Sequence, residues 1–291
     1  MTSRNEDTLR GLLFAVSAYF LWGFLPLYMK WLAHIPPFEV VAHRVLWSVP
    51  IASLLLIVMG RTSDVMRALR TPRVLAMGCV TAALITINWS IYVWAIMQDR
   101  ALDAALGYYI NPLFSIALGA VLLRERLDKT QLSAVALAAT AVAFLTWQAG
   151  SLPWVSVGLT VSWAFYAYFK KQLPIGPNQG FLLEVLILTP PALAYLTWLG
   201  PKNAFPAEPL LLMGCGLVTA IPLVLYANGA KGLKLSTIGI LQYIAPTMIF
   251  LVAVFVFGEE FDAARKVAFP MIWAALVIYS IPMIKAMRKA R

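Results

Sequence analysis

Long apolar runs follow one another along this chain, and they constrain its fold more than any other feature. Each run has about 20 residues, the length that an α-helix needs to cross the hydrocarbon core of a bilayer. The chain is 61% hydrophobic and only 12% charged, whereas charged residues make up about 25% of a typical soluble domain. Because backbone polar groups must be satisfied internally within a bilayer, such runs form helices. The sequence therefore predicts an all-α integral membrane protein.

Ten transmembrane helices are predicted from these runs. They cover residues 9–32, 38–59, 72–97, 101–123, 130–148, 153–171, 177–199, 209–230, 234–257 and 265–284. The joints between them are short and rich in Gly, Pro or charge. The first run is too long for the apolar region of a cleaved signal, about 7–15 residues, so we expect it to remain as a membrane helix.

The basic residues are distributed unevenly between the two sides of the predicted bundle. If the N-terminus is cytoplasmic, seventeen of the 23 Lys and Arg residues fall in cytoplasmic segments, five fall in external ones, and Arg44 lies within a helix. Since Lys and Arg accumulate in cytoplasmic loops, both termini are expected to be cytoplasmic. The net charge of +10 forms no single stripe, so we expect no nucleic-acid partner.

One pattern occurs twice in the chain, which indicates a duplication. The two copies are Tyr109-Ile110-x-Pro112 with Glu125 thirteen residues later, and Tyr243-Ile244-x-Pro246 with Glu259 at the same distance. With five predicted helices in each half, the second half must enter the bilayer upside down. The sequence thus predicts two inverted five-helix repeats, residues 1–149 and 150–291. Inverted repeats of this kind build secondary transporters with the substrate site between the halves.

Arg44 is the most costly residue to place. A guanidinium inside a membrane helix is disfavoured by at least about 2.5 kcal/mol unless it faces a cavity or a partner. It is therefore a candidate substrate ligand, although its long side chain has the alternatives of reaching the outer interface or pairing with Glu39. Glu184 occupies the matching position of the second half with the opposite charge. Together they suggest a substrate carrying both charges, or a proton-titrating Glu184 with an anchoring Arg44; the alternative is that Glu184 pairs with Lys170 or Lys171.

Prolines lie in the middle of the fourth and ninth predicted helices. Pro112 and Pro246 each remove a helix hydrogen bond, and broken backbone at that depth persists only where protein or a water-filled cavity satisfies it. We therefore predict helix breaks around one central polar cavity, the alternative being a packing kink. The predicted substrate-binding residues are Arg44, Asn88, Tyr92, Tyr108, Asn111, Trp163, Glu184, Gln242 and Tyr243. Further aromatic residues inside the helices are interpreted as core or as lining for a flat or cationic ligand, namely Trp22, Trp89, Trp94, Tyr166 and Tyr226.

We expect no metal or other cofactor. The two histidines, His34 and His43, have no Cys or carboxylate at ligand spacing, and His43 is expected to be buried and hydrogen-bonded. Cys79 and Cys215 occupy matching positions of the two repeats, which inversion would place near opposite faces. They are therefore expected to be packing residues rather than a disulfide.

Five longer motifs carry a family resemblance. They are Ala18-Tyr19-x-x-Trp22-Gly23-x-x-Pro26-Leu27-Tyr28-x-Lys30, Glu39-x-x-Ala42-His43-Arg44-x-x-Trp47-Ser48, Asn88-Trp89-x-x-Tyr92-x-Trp94-Ala95, Leu106-Gly107-Tyr108-Tyr109-Ile110-Asn111-Pro112-Leu113 and Leu235-Ser236-Thr237-x-Gly239-x-Leu241-Gln242-Tyr243-Ile244-Ala245-Pro246-Thr247. These motifs resemble those of the EamA-like branch of the drug/metabolite transporter superfamily, and most closely the RarD-type permeases.

The resemblance covers essentially the whole chain and implies a ten-helix transporter of the bacterial inner membrane that handles small amphipathic metabolites or drugs. We expect a monomer or weak homodimer whose partners are a small-molecule substrate and membrane lipids. One departure concerns the acidic residue that closes the repeated pattern, which follows Gly258 in the second half but Arg124 in the first. Glu125 and Glu259 are therefore interpreted as loop-packing residues.

The sequence favours a secondary transporter that works by alternating access. It contains no G-x-x-x-x-G-K-[ST] phosphate loop for ATP. The alternative of a membrane-embedded enzyme lacks an H-E-x-x-H or G-x-S-x-G motif, so we expect no catalytic residue. A receptor built on the same bundle fits the inverted repeat less well.

Overall fold

The computed structural model describes residues 8–122, 127–200, 209–230, 232–233 and 235–289, and all regular elements in these ranges are helices. The helices are α1 (Leu9–Trp31), α2 (Pro37–Val58), α3 (Thr62–Leu69), α4 (Pro72–Met97), α5 (Ala101–Leu122), α6 (Lys129–Ala149), α7 (Trp154–Gln172), α8 (Pro177–Leu199), α9 (Pro209–Ala230), α10 (Leu235–Leu241), α11 (Ile244–Leu251) and α12 (Ala263–Lys289), with a π-helical turn at Val252–Val256. The all-α prediction is confirmed.

Nine segments of the described chain are long and apolar enough to cross a membrane, so the protein is a multi-pass membrane protein. The eighth of them, Thr237–Val256, is interrupted and comprises most of α10 together with α11 and the π-helical turn. The sixth predicted segment, 153–171, forms α7, which is also helical but is not among the nine because it carries several polar residues. The count of ten spans therefore stays a prediction.

Local sequence signals account for where the helices begin and end. Four helices have Pro among their first residues, where its missing N–H has no helical partner to lose: Pro37, Pro72, Pro177 and Pro209. Asp128 and Gln131 form a capping box at the start of α6. That helix ends at Gly150, whose φ of 65° is the left-handed conformation that glycine adopts readily.

A short helix that the sequence analysis treated as a joint lies between α2 and α4. It is α3, which buries Val65 and Ala68 and exposes charged residues, and it packs against α8. There Gln179 Nε2 donates a hydrogen bond to Asp64 Oδ2 at 3.3 Å. Two buried residues in eight give too little apolar periodicity for a sequence-based prediction.

The helices pack in pairs that recur across the two halves of the chain. Helices α1, α2 and α4 of the first half correspond to α7, α8 and α9 of the second. The contact of α1 with α9 therefore has its counterpart in that of α7 with α4, and the contact of α2 with α9 in that of α8 with α4. α5 packs against α7 as α11 packs against α1. Three further pairs, α2 with α8, α5 with α11 and α6 with α12, join the elements that correspond in the two halves. A two-fold relation between the halves would produce this pairing.

The contact between α5 and α7 explains how a relatively polar helix is held in the bundle. Ser156 Oγ on α7 donates to the carbonyl of Asp103 at 2.7 Å, and Thr160 Oγ1 donates to the carbonyl of Gly107 at 2.9 Å. A Cβ at Gly107 would lie only 2.8 Å from the carbonyl oxygen of Ser156. Small residues let membrane helices approach closely enough for such bonds, so the hydroxyls of α7 are satisfied by α5.

Replacing Gly107 by Ala is expected to destabilise the protein by about 1–3 kcal/mol, the usual cost of overpacking. The added methyl group meets backbone, which moves only if α5 and α7 separate. Gly158→Ala is the matched control, because a Cβ there meets only the tip of the Ile91 side chain, at 2.9 Å. Thermal unfolding of both purified variants measures the difference. Equal losses of stability would contradict the close-contact explanation.

Candidate functional site

A cavity of about 140 Å³ lies at the centre of the bundle. A water molecule needs roughly 10–15 Å³ of such space, so the cavity has room for about ten waters or a small organic molecule. Side chains from α1, α2, α4 and α5 line it together with side chains from α7, α8, α9 and α11 and with Gln242, which lies between α10 and α11.

Seven of the nine predicted substrate-binding residues lie on the cavity wall. They are Arg44, Asn88, Tyr92, Tyr108, Asn111, Trp163 and Gln242. Three of the aromatic residues noted in the helices, Trp22, Trp89 and Tyr166, also line it, whereas Trp94 and Tyr226 do not.

Two polar wall residues, Tyr19 and Thr219, were not among the candidate ligands of the sequence analysis. Tyr19 lies three residues before Trp22 and so on the same face of α1, a signal that the helical period contains. Thr219 on α9 also lines the cavity. Nothing in the sequence distinguishes it, because a single Thr within an apolar run is common.

Arg44 is buried, with 3% of its surface exposed. Its Nε donates to Thr219 Oγ1 at 3.1 Å, and its guanidinium carbon lies 4.7 Å from the centre of the Trp89 ring. Its Nη1 is buried without a hydrogen-bond partner. No carboxylate in the described ranges lies within ion-pair distance of it, Glu39 included. The structure therefore favours the cavity over the interface and over a pair with Glu39.

Glu184 does not line the cavity, so the structure does not bring it together with the other predicted ligands. Its Oε1 lies 2.7 Å from Lys170 Nζ, and its Oε2 accepts a hydrogen bond from the hydroxyl of Tyr166 at 3.2 Å. The Lys170 alternative is the one that the structure contains. Tyr166 is a wall residue, and Lys170 follows it by one helical turn on the same face of α7. Glu184 therefore sits behind Tyr166, and its charge is compensated.

Asn88 fixes three helices around the cavity rather than presenting free hydrogen-bonding groups. Its Nδ2 donates to the carbonyl of Leu159 and to Ser162 Oγ on α7, at 3.1 and 2.9 Å. Its Oδ1 accepts from the hydroxyl of Tyr108 on α5 at 3.4 Å. By contrast, the Tyr92 hydroxyl and Asn111 Oδ1 are buried with no partner among the described residues. These two groups are available to a ligand.

The two prolines behave differently. Near Pro246 the helix is interrupted, since α10 ends at Leu241 and α11 begins at Ile244. At Pro112 the predicted break is absent, because α5 runs continuously through it. One proline removes a single hydrogen bond, and packing against neighbouring helices in a membrane tolerates that loss. Pro246 lines the cavity, and Pro112 does not.

Tyr243 is the second predicted ligand that lies off the wall. It follows Gln242, which does line the cavity, and successive residues of a helical turn point about 100° apart. The corresponding residue of the first half, Tyr109, also points away, and its hydroxyl lies 2.8 Å from Thr247 Oγ1. In each adjacent pair, Tyr108 with Tyr109 and Gln242 with Tyr243, the first residue faces the cavity and the second does not.

A set of charged contacts joins helices at one end of the bundle, which we call the capped end. Glu259 accepts hydrogen bonds from the first backbone N–H groups of α5, with Oε1 2.6 Å from Ala101 N and Oε2 2.9 Å from Leu102 N. Asp103 forms an ion pair with Arg265 at 3.0 Å. Burial raises the pKa of the Glu259 carboxyl, while the two N–H donors oppose that rise.

Glu259 thus does more than pack within its own loop, because it caps a helix of the other half of the chain. Lys30 and Asp99 add an ion pair of 2.5 Å at the same end. Glu125, the corresponding residue of the first half, lies outside the described residues.

The remaining polar candidates take structural roles. His43 is fully buried, and its Nδ1 accepts a hydrogen bond from Trp47 Nε1 at 3.2 Å, as expected. In the described part of the chain, no three His, Cys, Asp or Glu side chains group in a way that would hold a metal ion. Cys215 is buried and Cys79 exposed, and both are free thiols.

Comparison with known proteins gives consistent results. The profile of the EamA-like transporter family matches residues 9–147. An uncharacterized transporter of Vibrio cholerae is 41% identical over 100% of this chain and 98% of its own. The protein RarD of Salmonella typhimurium is 40% identical over 98% of this chain and 99% of its own. A solved crystal structure superposes with a TM-score of 0.59 and 20% identity over 92% of this chain and 96% of that one, a likeness of fold alone.

Proposed function

Because the chain belongs to the EamA-like transporter family and to its RarD-type members, we propose that it is a secondary transporter that moves small amphipathic metabolites or drugs across the bacterial inner membrane by alternating access. The observation that carries this proposal is the central cavity. Its wall combines one buried cation, two polar groups without partners and a set of aromatic rings. A small number of polar groups within an apolar cavity is the usual composition of a small-molecule site.

The proposal divides the chain into halves, residues 1–149 and 150–291, that are inverted relative to each other. The recurrent helix pairing supports this division, since the most extensive contacts between helices have counterparts between the corresponding helices of the other half. The family profile supports it too, because its match to residues 9–147 covers the first half alone. The cavity would then lie between the repeats, where inverted-repeat transporters bind their substrates.

The capped end supplies the element that alternating access requires, a contact between the halves that can open. Glu259 and Arg265 of the second half hold Ala101, Leu102 and Asp103 of the first. With both termini cytoplasmic, this end faces outward, and the described conformation is closed toward the outside. An enzyme is less well supported, because no carboxylate, His or Cys lines the cavity in the described part of the chain.

The proposal predicts that the cavity is reached from one side at a time. Ala245 lines it, so a cysteine there, in a variant with Cys79→Ala and Cys215→Ala, reports access by an impermeant thiol reagent. Labelling is expected to be faster in inverted vesicles than in intact cells, because the capped end is closed. Ala141→Cys, on a fully buried position of α6, is the control that should label from neither side.

Adding Glu259→Gln should then shift access toward the outside. An amide oxygen cannot replace both charge-assisted bonds, and the loss of about 1.5 kcal/mol changes the ratio of the two conformations roughly tenfold. External labelling should rise and internal labelling should fall together. Simultaneous labelling from both sides, unaffected by Glu259→Gln, would indicate a channel. Preferential labelling from outside in the parent would reverse the proposed orientation.

A further inference from the structure

Resting on the proposed function, the geometry of the cavity points to one substrate class: organic monoanions, with a carboxylate bound by Arg44 and a flat apolar body against the aromatic wall. This is narrower than the amphipathic metabolites implied by the family.

The charge balance of the cavity favours an anionic ligand. Within the described chain, Arg44 is the only residue with a formal charge on the wall. It is 3% exposed and has no ion-pair partner there. An isolated buried ion costs several kcal/mol relative to water, and that cost is offset when a bound ligand brings the opposite charge. The missing counter-ion is therefore the one that the substrate supplies.

The position of the guanidinium is fixed before any ligand arrives. Thr219 holds Nε from one side, and the Trp89 ring covers one face. Nη1 remains buried without a partner. A guanidinium held in this way presents a planar donor edge that matches a carboxylate. The Tyr92 hydroxyl and Asn111 Oδ1, also without partners, offer a further donor and an acceptor to polar groups on the ligand.

The same wall disfavours cations and zwitterions. Glu184, which lies behind the wall residue Tyr166, already neutralises Lys170 and accepts from Tyr166. A ligand ammonium would find aromatic faces but no free carboxylate in the described wall, next to an uncompensated Arg44. The hypothesis that Arg44 and Glu184 bind a substrate carrying both charges is therefore replaced. Arg44 instead recognises a substrate with a single negative charge.

The apolar part of the substrate is assigned to the remaining wall. Trp22 and Trp163 come from equivalent helices of the two halves, α1 and α7. Leu223 and Ile249 complete an apolar surface between them. Flat rings stack on such surfaces, and aromatic pairs contribute about 0.5–1.5 kcal/mol beyond the burial of area.

The test uses three probes that share a phenyl ring and a three-carbon chain and end in a negative, a neutral and a positive group: 3-phenylpropionate, 3-phenylpropionamide and 3-phenylpropylamine. Binding to the purified full-length protein is followed by the shift in melting temperature and by tryptophan fluorescence. The acid is expected to bind at least tenfold more tightly than the amide, and the amine more weakly than both. Equal or tighter binding of the amide or amine, or no binding of the acid at millimolar concentration, would overturn the proposal.

Two variants locate the effect. Arg44→Gln should abolish the preference for the acid over the amide, while Thr219→Val, which releases Nε without altering the volume, should weaken acid binding about threefold to tenfold. Acid binding that is unchanged in Arg44→Gln refutes the assignment. If inorganic phosphate or chloride shifts the melting temperature as much as the acid does, the assigned contacts with an apolar organic body are refuted. If the probes fail but Ala245→Cys still labels from alternate sides, the substrate class is wrong and the transporter proposal stands.

Discussion

Arg44→Gln is expected to reduce the flux of 3-phenylpropionate into proteoliposomes by about 100-fold or more. Hydrogen bonds between a guanidinium and a carboxylate contribute about 1.5–3 kcal/mol each, and 2.8 kcal/mol corresponds to a factor of 100. Arg44→Lys should retain part of the activity, because an ammonium keeps the charge but lacks the planar fork.

The melting temperature separates this effect from misfolding. Since Arg44 has no ion pair in the described chain, removing its charge leaves no buried carboxylate uncompensated, and Arg44→Gln should be at least as stable as the parent. Loss of a binding residue with a gain in stability is the usual trade-off at functional sites. Normal flux in Arg44→Gln would assign binding to the other polar groups of the wall, such as Tyr92, Asn111 and Gln242.

Glu184→Gln is expected to lower stability by about 3 kcal/mol, because it leaves Lys170 as an uncompensated charge in a buried pair. The Glu184 side chain is 1% exposed, that of Lys170 17% exposed, and their charged atoms lie 2.7 Å apart. Lys170→Met in the same chain should restore most of the stability, since both charges are then absent while an amide oxygen still accepts from Tyr166. Thermal unfolding of the single and double variants measures both effects.

Flux then shows whether Glu184 has any direct part in transport. The double variant should carry 3-phenylpropionate at close to the parental rate, because Glu184 stands behind Tyr166 rather than on the wall. A stable double variant without flux would mean that Glu184 itself takes part in the cycle. That result would also support the hypothesis that Arg44 and Glu184 both bind the substrate.

How far the sequence predicted the site depends on the kind of information that each residue required. Arg44 could be identified because the cost of an unpaired charge in a membrane follows from its position alone. Glu184 and Tyr243 could not be placed, because sequence fixes the depth of a residue along a helix but not the direction in which the helix faces its neighbours. Glu184 pairs with Lys170, which the sequence analysis gave as an equal alternative to substrate binding.

The fold shows the same division between local and tertiary information. The ends of the helices follow from Pro, Asp and Gly signals in the sequence, and the predicted segments match the helices closely. Ser156 and Thr160 of α7 are accommodated in the bundle because the carbonyls of Asp103 and Gly107 accept from their hydroxyls. Likewise, a hydrogen bond between Glu259 and the start of α5 joins residues more than 150 positions apart, which no local pattern reports.

The charge of Arg44, which has no ion-pair partner among the described residues, also has an electrical consequence. An empty carrier has a positive charge on its central site, whereas a carrier loaded with a monoanion is neutral there. Moving one elementary charge through a potential of 100 mV changes its free energy by about 2.3 kcal/mol. The charge of Arg44 experiences the fraction of this energy that corresponds to its displacement across the membrane between the two conformations. The membrane potential therefore acts on the return of the empty carrier and leaves the loaded step almost untouched, so voltage would set the pace of net transport more than that of exchange.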